Sequence, residues 1–141
     1  MEWDILKYER NSIVEDFYED GVRVLIMRGP YAWCVYLGVP LDHPLAGFDY
    51  DSIPLSVHYG LTFGREGEGG KYRPKGWYWY GWDYGHCDDA SVYDFKSVTT
   101  SDTGKKWTLK EVKDEAQYAA WDFAKLKSLT ERIANKRKET E

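Results

Sequence analysis

The sequence predicts an α+β fold, an antiparallel sheet with one long C-terminal helix packed on a face. Three observations carry that prediction. Val112, Ala116, Ala119, Phe123, Leu126 and Ile133 recur at three- and four-residue spacing, the apolar stripe of a core-facing helix. Short β-rich runs precede this stripe, bounded by Gly and Pro. Among them Gly76–Asp89 concentrates Trp77, Tyr78, Trp79, Tyr80, Trp82 and Tyr84, rings that suit a pleated, half-buried surface.

Composition sets the outer bounds. A chain of 141 residues suffices for a single domain with a real core, and no Pro/Ser-rich linker divides it. Aromatics at 17% argue for a folded chain despite a mean hydropathy of −0.66. A formal net charge of −5 disfavours stable nucleic-acid binding. The basic run Lys136-Arg137-Lys138 is flanked by Glu139 and Glu141 and reads as a solvated helix end. Cys34 and Cys87 are too few for a disulfide scaffold, which makes a reduced cytoplasm the expected setting. Met1–Arg10 is charged throughout, unlike a signal peptide, and no apolar run approaches the ~20 residues of a membrane helix.

In chain order, Met1–Asp20 reads as an N-terminal extension with a short helix or strand, ending at the turn residue Gly21. Val22–Arg28 and Tyr31–Val39 form an antiparallel hairpin about Gly29-Pro30. Leu41–Tyr50 is an ordered loop, because Pro44 lacks a ladder donor. Leu55–Phe63 reads as a third strand, with Leu55, Val57, Tyr59 and Leu61 alternating with polar or small residues. The Gly-rich loop Gly64–Lys75 then leads into the aromatic strand Gly76–Tyr84, its hairpin partner. Arg65, Lys71, Arg73 and Lys75 in that loop read as solvated, with reach over an anionic ligand as the sharper alternative. Ala90–Lys106 is loop with a short strand at Val92–Phe95. Thr108 and Glu111 form a capping box that opens the helix, expected from about Leu109 to Ala134.

The chemistry-bearing residues gather around the aromatic strand. Alternation puts Trp77, Trp79 and Asp83 on one face and Tyr78, Tyr80, Trp82 and Tyr84 on the other. If the first row faces the core, Asp83 sits at its edge and needs a partner. His58 and Thr62 share a face of the third strand, Asp83 lies on its partner, and His86 and Asp89 follow in a turn.

Three segments and a helix start resemble a family of small phage and prophage proteins. Its pattern is a G-H-P-L-x-G-x-x-Y loop, then V-H-G-G-L-T-Y/F, then W-x-G-F-D-C-A-H-x-G-D, then a C-terminal helix with an E-V/K-rich start. The corresponding residues here are His43-Pro44-Leu45-Ala46-Gly47-Phe48-Asp49-Tyr50, Val57-His58-Tyr59-Gly60-Leu61-Thr62-Phe63, Trp79-Tyr80-Gly81-Trp82-Asp83-Tyr84-Gly85-His86-Cys87-Asp88-Asp89 and Leu109-Lys110-Glu111-Val112. Tyr59, Tyr84 and Asp88 depart from the pattern, where it has Gly, Cys and Gly. The resemblance implies a mobile element in a bacterial cytoplasm and supplies no activity.

His58, Thr62, Asp83, His86 and Asp89 support three readings. The first is a structural network in which an Asp holds a His tautomer and caps turn amides. The second is a small-ligand site in which Trp79 and Trp82 join those five residues and stack on a nucleotide-like ligand. The resemblance adds a use, sequestration of a nucleotide signal of host immunity. The third is a hydrolase, with His86 as general base or with His58, Asp83, His86 and Asp89 around a divalent metal. The ligand reading expects no cofactor, no membrane partner, and self-association as an open alternative. A protein-binding inhibitor with an acidic surface (Glu15, Asp16, Glu19, Asp20, Asp88, Asp89, Asp94) is a further class. Cys87 reads as incidental, and Gly64–Gly70 lacks the G-K-[ST] of a phosphate loop.

Overall fold

A computed structural model describes residues 2–70, 72–92 and 104–140, with side chains through residue 127 of the final helix. Five antiparallel strands form one sheet: β1 (Ser12–Glu19), β2 (Val22–Arg28), β3 (Trp33–Pro40), β4 (Phe63–Glu66) and β5 (Trp77–Asp83), in the order β1-β2-β3-β5-β4. One helix, α1 (Leu109–Thr140), packs on it, so the fold is the α+β arrangement the sequence predicts.

The β1–β2 hairpin turns on Asp20 and Gly21, with φ of 51° and 80° between the paired Glu19 and Val22. Two left-handed residues in a two-residue loop match the strand twist, and Asp-Gly accepts that geometry at low steric cost. Residues 2–20 are therefore not an appendage. They supply an edge strand and a 3-10 turn (Asp4–Lys7) whose Ile5 is fully buried. Asp4 Oδ2 also accepts the Leu109 N–H at 2.8 Å, satisfying a donor at the start of α1.

The third strand is shorter and later than expected. Tyr59 (φ 59°) and Gly60 (φ 77°) are both left-handed, and the Gly60 N–H donates to the Val57 carbonyl at 2.8 Å. That turn ends the apparent alternation of Leu55–Leu61, and ladder pairing begins only at Phe63, opposite Gly81. The loop expected from Gly64 consequently starts after Glu66. The expected strand at Val92–Phe95 lies outside the described residues beyond Val92.

The capping box is present. The Glu111 N–H donates to Thr108 Oγ1 at 3.2 Å and the Thr108 N–H to Glu111 Oε1 at 3.0 Å. Val112, Ala116, Ala119, Ala120 and Phe123 are buried against Val24, Ile26, Val35, Leu37, Tyr80 and Trp82. The helix therefore covers the row containing Tyr80, Trp82 and Tyr84. Trp79 and Asp83 belong to the other face, where Leu25, Met27, Cys34, Tyr36 and Gly38 lie in register with them. Residues 67–70 and 72–76 fold over that face: Trp79 Nε1 donates to the Pro74 carbonyl at 3.0 Å, and the Gly67 N–H to the Trp77 carbonyl at 2.9 Å. Both faces of the central strands are thus covered by different means.

Candidate functional site

The turn after β5 places Asp89 beneath His58. The Asp89 N–H closes the turn on the His86 carbonyl at 2.9 Å, and main-chain bonds Lys105 N–H to Asp88 O (3.0 Å) and Ala90 N–H to Lys105 O (2.9 Å) anchor it. The Asp89 side chain is 2% exposed and His58 14%. His58 Nε2 donates to both carboxylate oxygens, at 3.0 and 2.8 Å. Trp107 Nε1 donates to Oδ1 at 2.9 Å and the His86 N–H to Oδ2 at 3.0 Å. Each oxygen thus accepts two contacts, so the carboxylate is buried with both oxygens hydrogen-bonded.

A second carboxylate continues the network. Glu115 on α1 accepts the Tyr84 hydroxyl, Trp82 Nε1 at 3.2 Å and the His58 N–H at 3.4 Å. Burial and the Glu115 hydrogen bond push the Tyr84 phenol well above its ordinary value, so it stays a donor. The His58 ring lies parallel on Tyr84 at 4.8 Å and edge-on to Trp107 at 4.9 Å. Helix, β5 and the 57–60 turn are fastened together here, and the polar atoms of His58, Asp89 and Glu115 named above point at protein partners.

The other residues expected in the site are only partly gathered around this network. Asp83 accepts the Gly85 N–H at 2.9 Å, and its Oδ1 is 3.6 Å from His86 Nε2. That separation exceeds a hydrogen bond. His86 stacks parallel on Tyr59 at 4.2 Å, and its Nε2 is buried without a hydrogen-bond partner among the described residues. Tyr59 donates to Asp88 Oδ2 at 2.8 Å, and that bond, followed by Cys87, raises its phenol. Thr62 is exposed and contributes its main-chain N–H to Gly81 O at 2.9 Å. Trp79 lies on the opposite face and Trp82 faces the helix. The structure thus brings together His58, His86, Asp89 and Trp82, and not Thr62 or Trp79. Among the described residues no three His, Cys, Asp or Glu side chains converge to hold a metal ion. The acidic surface is partly neutralised as well: Asp16 pairs with Arg23 at 2.7 Å, Glu15 with Lys113 at 3.4 Å, and Asp89 is buried.

Open space lies on the helix-free side. A cavity of about 240 Å³ is lined by residues including Asn11, Met27, Cys34, Tyr36, Tyr72 and Arg73. A second hollow of about 390 Å³, lined by Glu9, Arg10, Asn11, Ser12, Ile13 and Tyr72, shares Asn11 and Tyr72 with it. Arg73 lies over two rings, 4.4 Å from the Phe63 centroid and 4.8 Å from that of Tyr36. Its Nε is buried and has no hydrogen-bond partner among the described residues. Burial first, and then Asp83, hold the Cys34 thiol up at about 12, so it is neutral and no nucleophile at pH 7. Burial and Cys34 likewise raise Tyr36 to about 12, against the opposing pull of Arg73.

Sequence reasoning did not single out Tyr59, Trp107 and Glu115 as partners, nor Asn11, Tyr36 and Tyr72 as cavity wall. Arg73 carried a signal as one of four basic residues in a glycine-rich loop. Comparison with protein-family models, with curated proteins and with solved structures gives no match for this chain.

Proposed function

We propose that the protein binds a small, anionic, nucleotide-like ligand, and that the binding site is the helix-free cleft. The observation that carries this reading is Arg73: a guanidinium held against Tyr36 and Phe63 at a cavity wall, with a buried Nε that has no acceptor among the described residues. Such a donor is costly to leave unpaired and is satisfied by a phosphate or carboxylate oxygen. Neutral Tyr36 and the ring of Tyr72 offer surfaces for a planar group. By contrast, both Asp89 oxygens and Glu115 Oε1 already accept hydrogen bonds from the protein, which supports a structural role there. The resemblance to phage proteins makes sequestration of a nucleotide signal of host immunity the use we propose. The test is a thermal-shift screen of nucleotides and cyclic dinucleotides on wild type and Arg73→Gln, followed by recovery of the ligand after heat denaturation. Stabilisation of wild type that Arg73→Gln loses, with the ligand returned intact, is the expected result. A flat screen overturns the reading, and a chemically altered ligand replaces sequestration by catalysis.

A further inference from the structure

The outward side of α1 carries a stripe that the fold itself does not use. Glu111, Asp114, Tyr118, Trp121 and Lys125 follow one another at alternating spacings of three and four residues, so they line one side of the helix. Val112, Ala116, Ala119, Ala120 and Phe123 take the other side into the core. We propose that two copies of this chain pair antiparallel through this stripe, about a two-fold axis between Tyr118 and Trp121. The inference is independent of the ligand reading, because the cleft lies on the side of the sheet away from α1.

The aromatic surface is the first observation. Tyr118 is 64% exposed and Trp121 42%. Their ring centroids are 5.6 Å apart at an interplanar angle of 47°, so they form one patch rather than two scattered side chains. Tyr and Trp are the side chains that anchor protein interfaces, because they bring large area with little rotamer entropy to lose. Lys125 Nζ lies 3.3 Å from the Trp121 ring centroid, which sets a cation on the patch.

The order of charge selects the occupant. Along the stripe the sign reverses: Glu111 and Asp114 precede the aromatic pair and Lys125 follows it. Asp114 stands four residues before Tyr118, and Lys125 four residues after Trp121. A two-fold axis between the rings therefore sets Tyr118 opposite Trp121 of the second copy and Asp114 opposite Lys125 of the second copy, and repeats both pairs by symmetry. Parallel pairing in register would oppose Asp114 to Asp114 and Lys125 to Lys125, which repel. The three-and-four spacing is also the one that keeps two helices in contact along their length, at a crossing of about 20°. Within the chain Lys110 engages Asp114 Oδ2 at 3.0 Å, and a carboxylate has a second oxygen for a second cation. A lipid surface favours cations along a whole helix face, and an unrelated protein imposes no mirror order on the charges, so the stripe fits its own copy best.

Sedimentation equilibrium of the full chain over a concentration series is the test, on wild type, Trp121→Ala, Asp114→Lys, Lys125→Asp and the double variant Asp114→Lys/Lys125→Asp. Wild type is expected to dimerise with a Kd of about 1–100 μM, the weak range suited to an interface of one helix pair. Trp121→Ala is expected to raise the Kd about ten-fold or more. Asp114→Lys or Lys125→Asp alone opposes like charges at both pair positions and is expected to raise it by a similar factor. The double variant restores opposite charges across the axis and returns the Kd to near that of wild type, which also shows that the substitutions leave the fold intact. A one-to-one mixture of the two single charge variants is expected to form the mixed dimer. Wild type that stays monomeric into the millimolar range overturns the inference and leaves the stripe to a different protein. A dimer that none of the single variants weakens overturns this surface, and a double variant no tighter than the single ones overturns the antiparallel pairing.

Discussion

His58 lies flat on Tyr84 while its Nε2 donates to both oxygens of Asp89, so one imidazole joins two carboxylate centres, Asp89 and the Glu115 that holds Tyr84. The ring is a fastener between the β5 turn and the helix. Four tests of this architecture are open to direct measurement.

Asp89→Asn is expected to destabilise the protein by ~1–3 kcal/mol. An amide presents an NH2 group to an environment of donors from His58, Trp107 and the His86 main chain, and at least one of them loses its acceptor. Urea denaturation gives the loss. On the proposed reading, binding at the cleft on the opposite face is expected to stay unchanged in the same variant, and a selective loss of binding with full stability would reassign Asp89 to the ligand site.

Gly38→Ala tests the close packing of the helix-free face. A Cβ at Gly38 would come 2.4 Å from a ring carbon of Trp79. The indole is pinned by its Nε1 bond to Pro74 and is fully buried, so it has little room to retreat. Overpacking of this kind costs ~1–3 kcal/mol. The melting temperature should fall, and Trp fluorescence should report the displaced indole.

Thr108→Ala removes the side-chain half of the capping box and should cost ~1 kcal/mol. Glu111 supplies a pH signature. Its carboxyl is held below the ordinary value of 4.5 by Lys105 first and then by the Thr108 N–H. A depressed folded value stabilises above the unfolded one and is lost as the pH falls through the folded one. The stability gap between wild type and Glu111→Gln is therefore widest near neutrality and closes on acidification. A gap that is constant from neutral to acid pH would deny the pairing.

Tyr80 supplies the alkaline counterpart. Its hydroxyl donates to the Leu45 carbonyl at 2.6 Å, and burial raises the phenol from 10.0 to about 12. A raised folded value gives stability that is complete below the unfolded value and lost as the pH climbs through the folded one. Wild type should lose stability from pH 10 towards 12, and Tyr80→Phe, at a cost of ~1 kcal/mol near neutrality, should show a shallower decline. Parallel curves for the two proteins would remove Tyr80 from the alkaline transition.

Much of the fold was legible in local pattern. The helix stripe and the Thr108/Glu111 box act over one or two turns of chain, so spacing alone reveals them. The β2–β3 hairpin and the aromatic strand were equally local. Asp20-Gly21 also carried a full hairpin signal between Glu19 and Val22, and pairing it with the β-rich residues on either side would have revealed β1. At Leu55–Leu61 the alternation misled, because a turn with Tyr59 in the left-handed region contradicts the pattern and leaves no mark in hydrophobicity.

By itself the sequence determined the α+β class, the helix and its cap, and the alternation that sends Trp79 and Trp82 to opposite faces. Only the tertiary structure decided which face the helix covers, and with it the fate of each polar group. Strand alternation says that two side chains point apart, not which side will be buried by which element. The bonds joining Trp107 and Glu115 to the β5 region run between positions 18 to 33 residues apart in the chain. Arg73 reaches the ring of Tyr36 only because residues 72–76 fold back over the sheet. Long-range packing of this kind is set by the sum of many burials across the molecule, and no short window of residues records it.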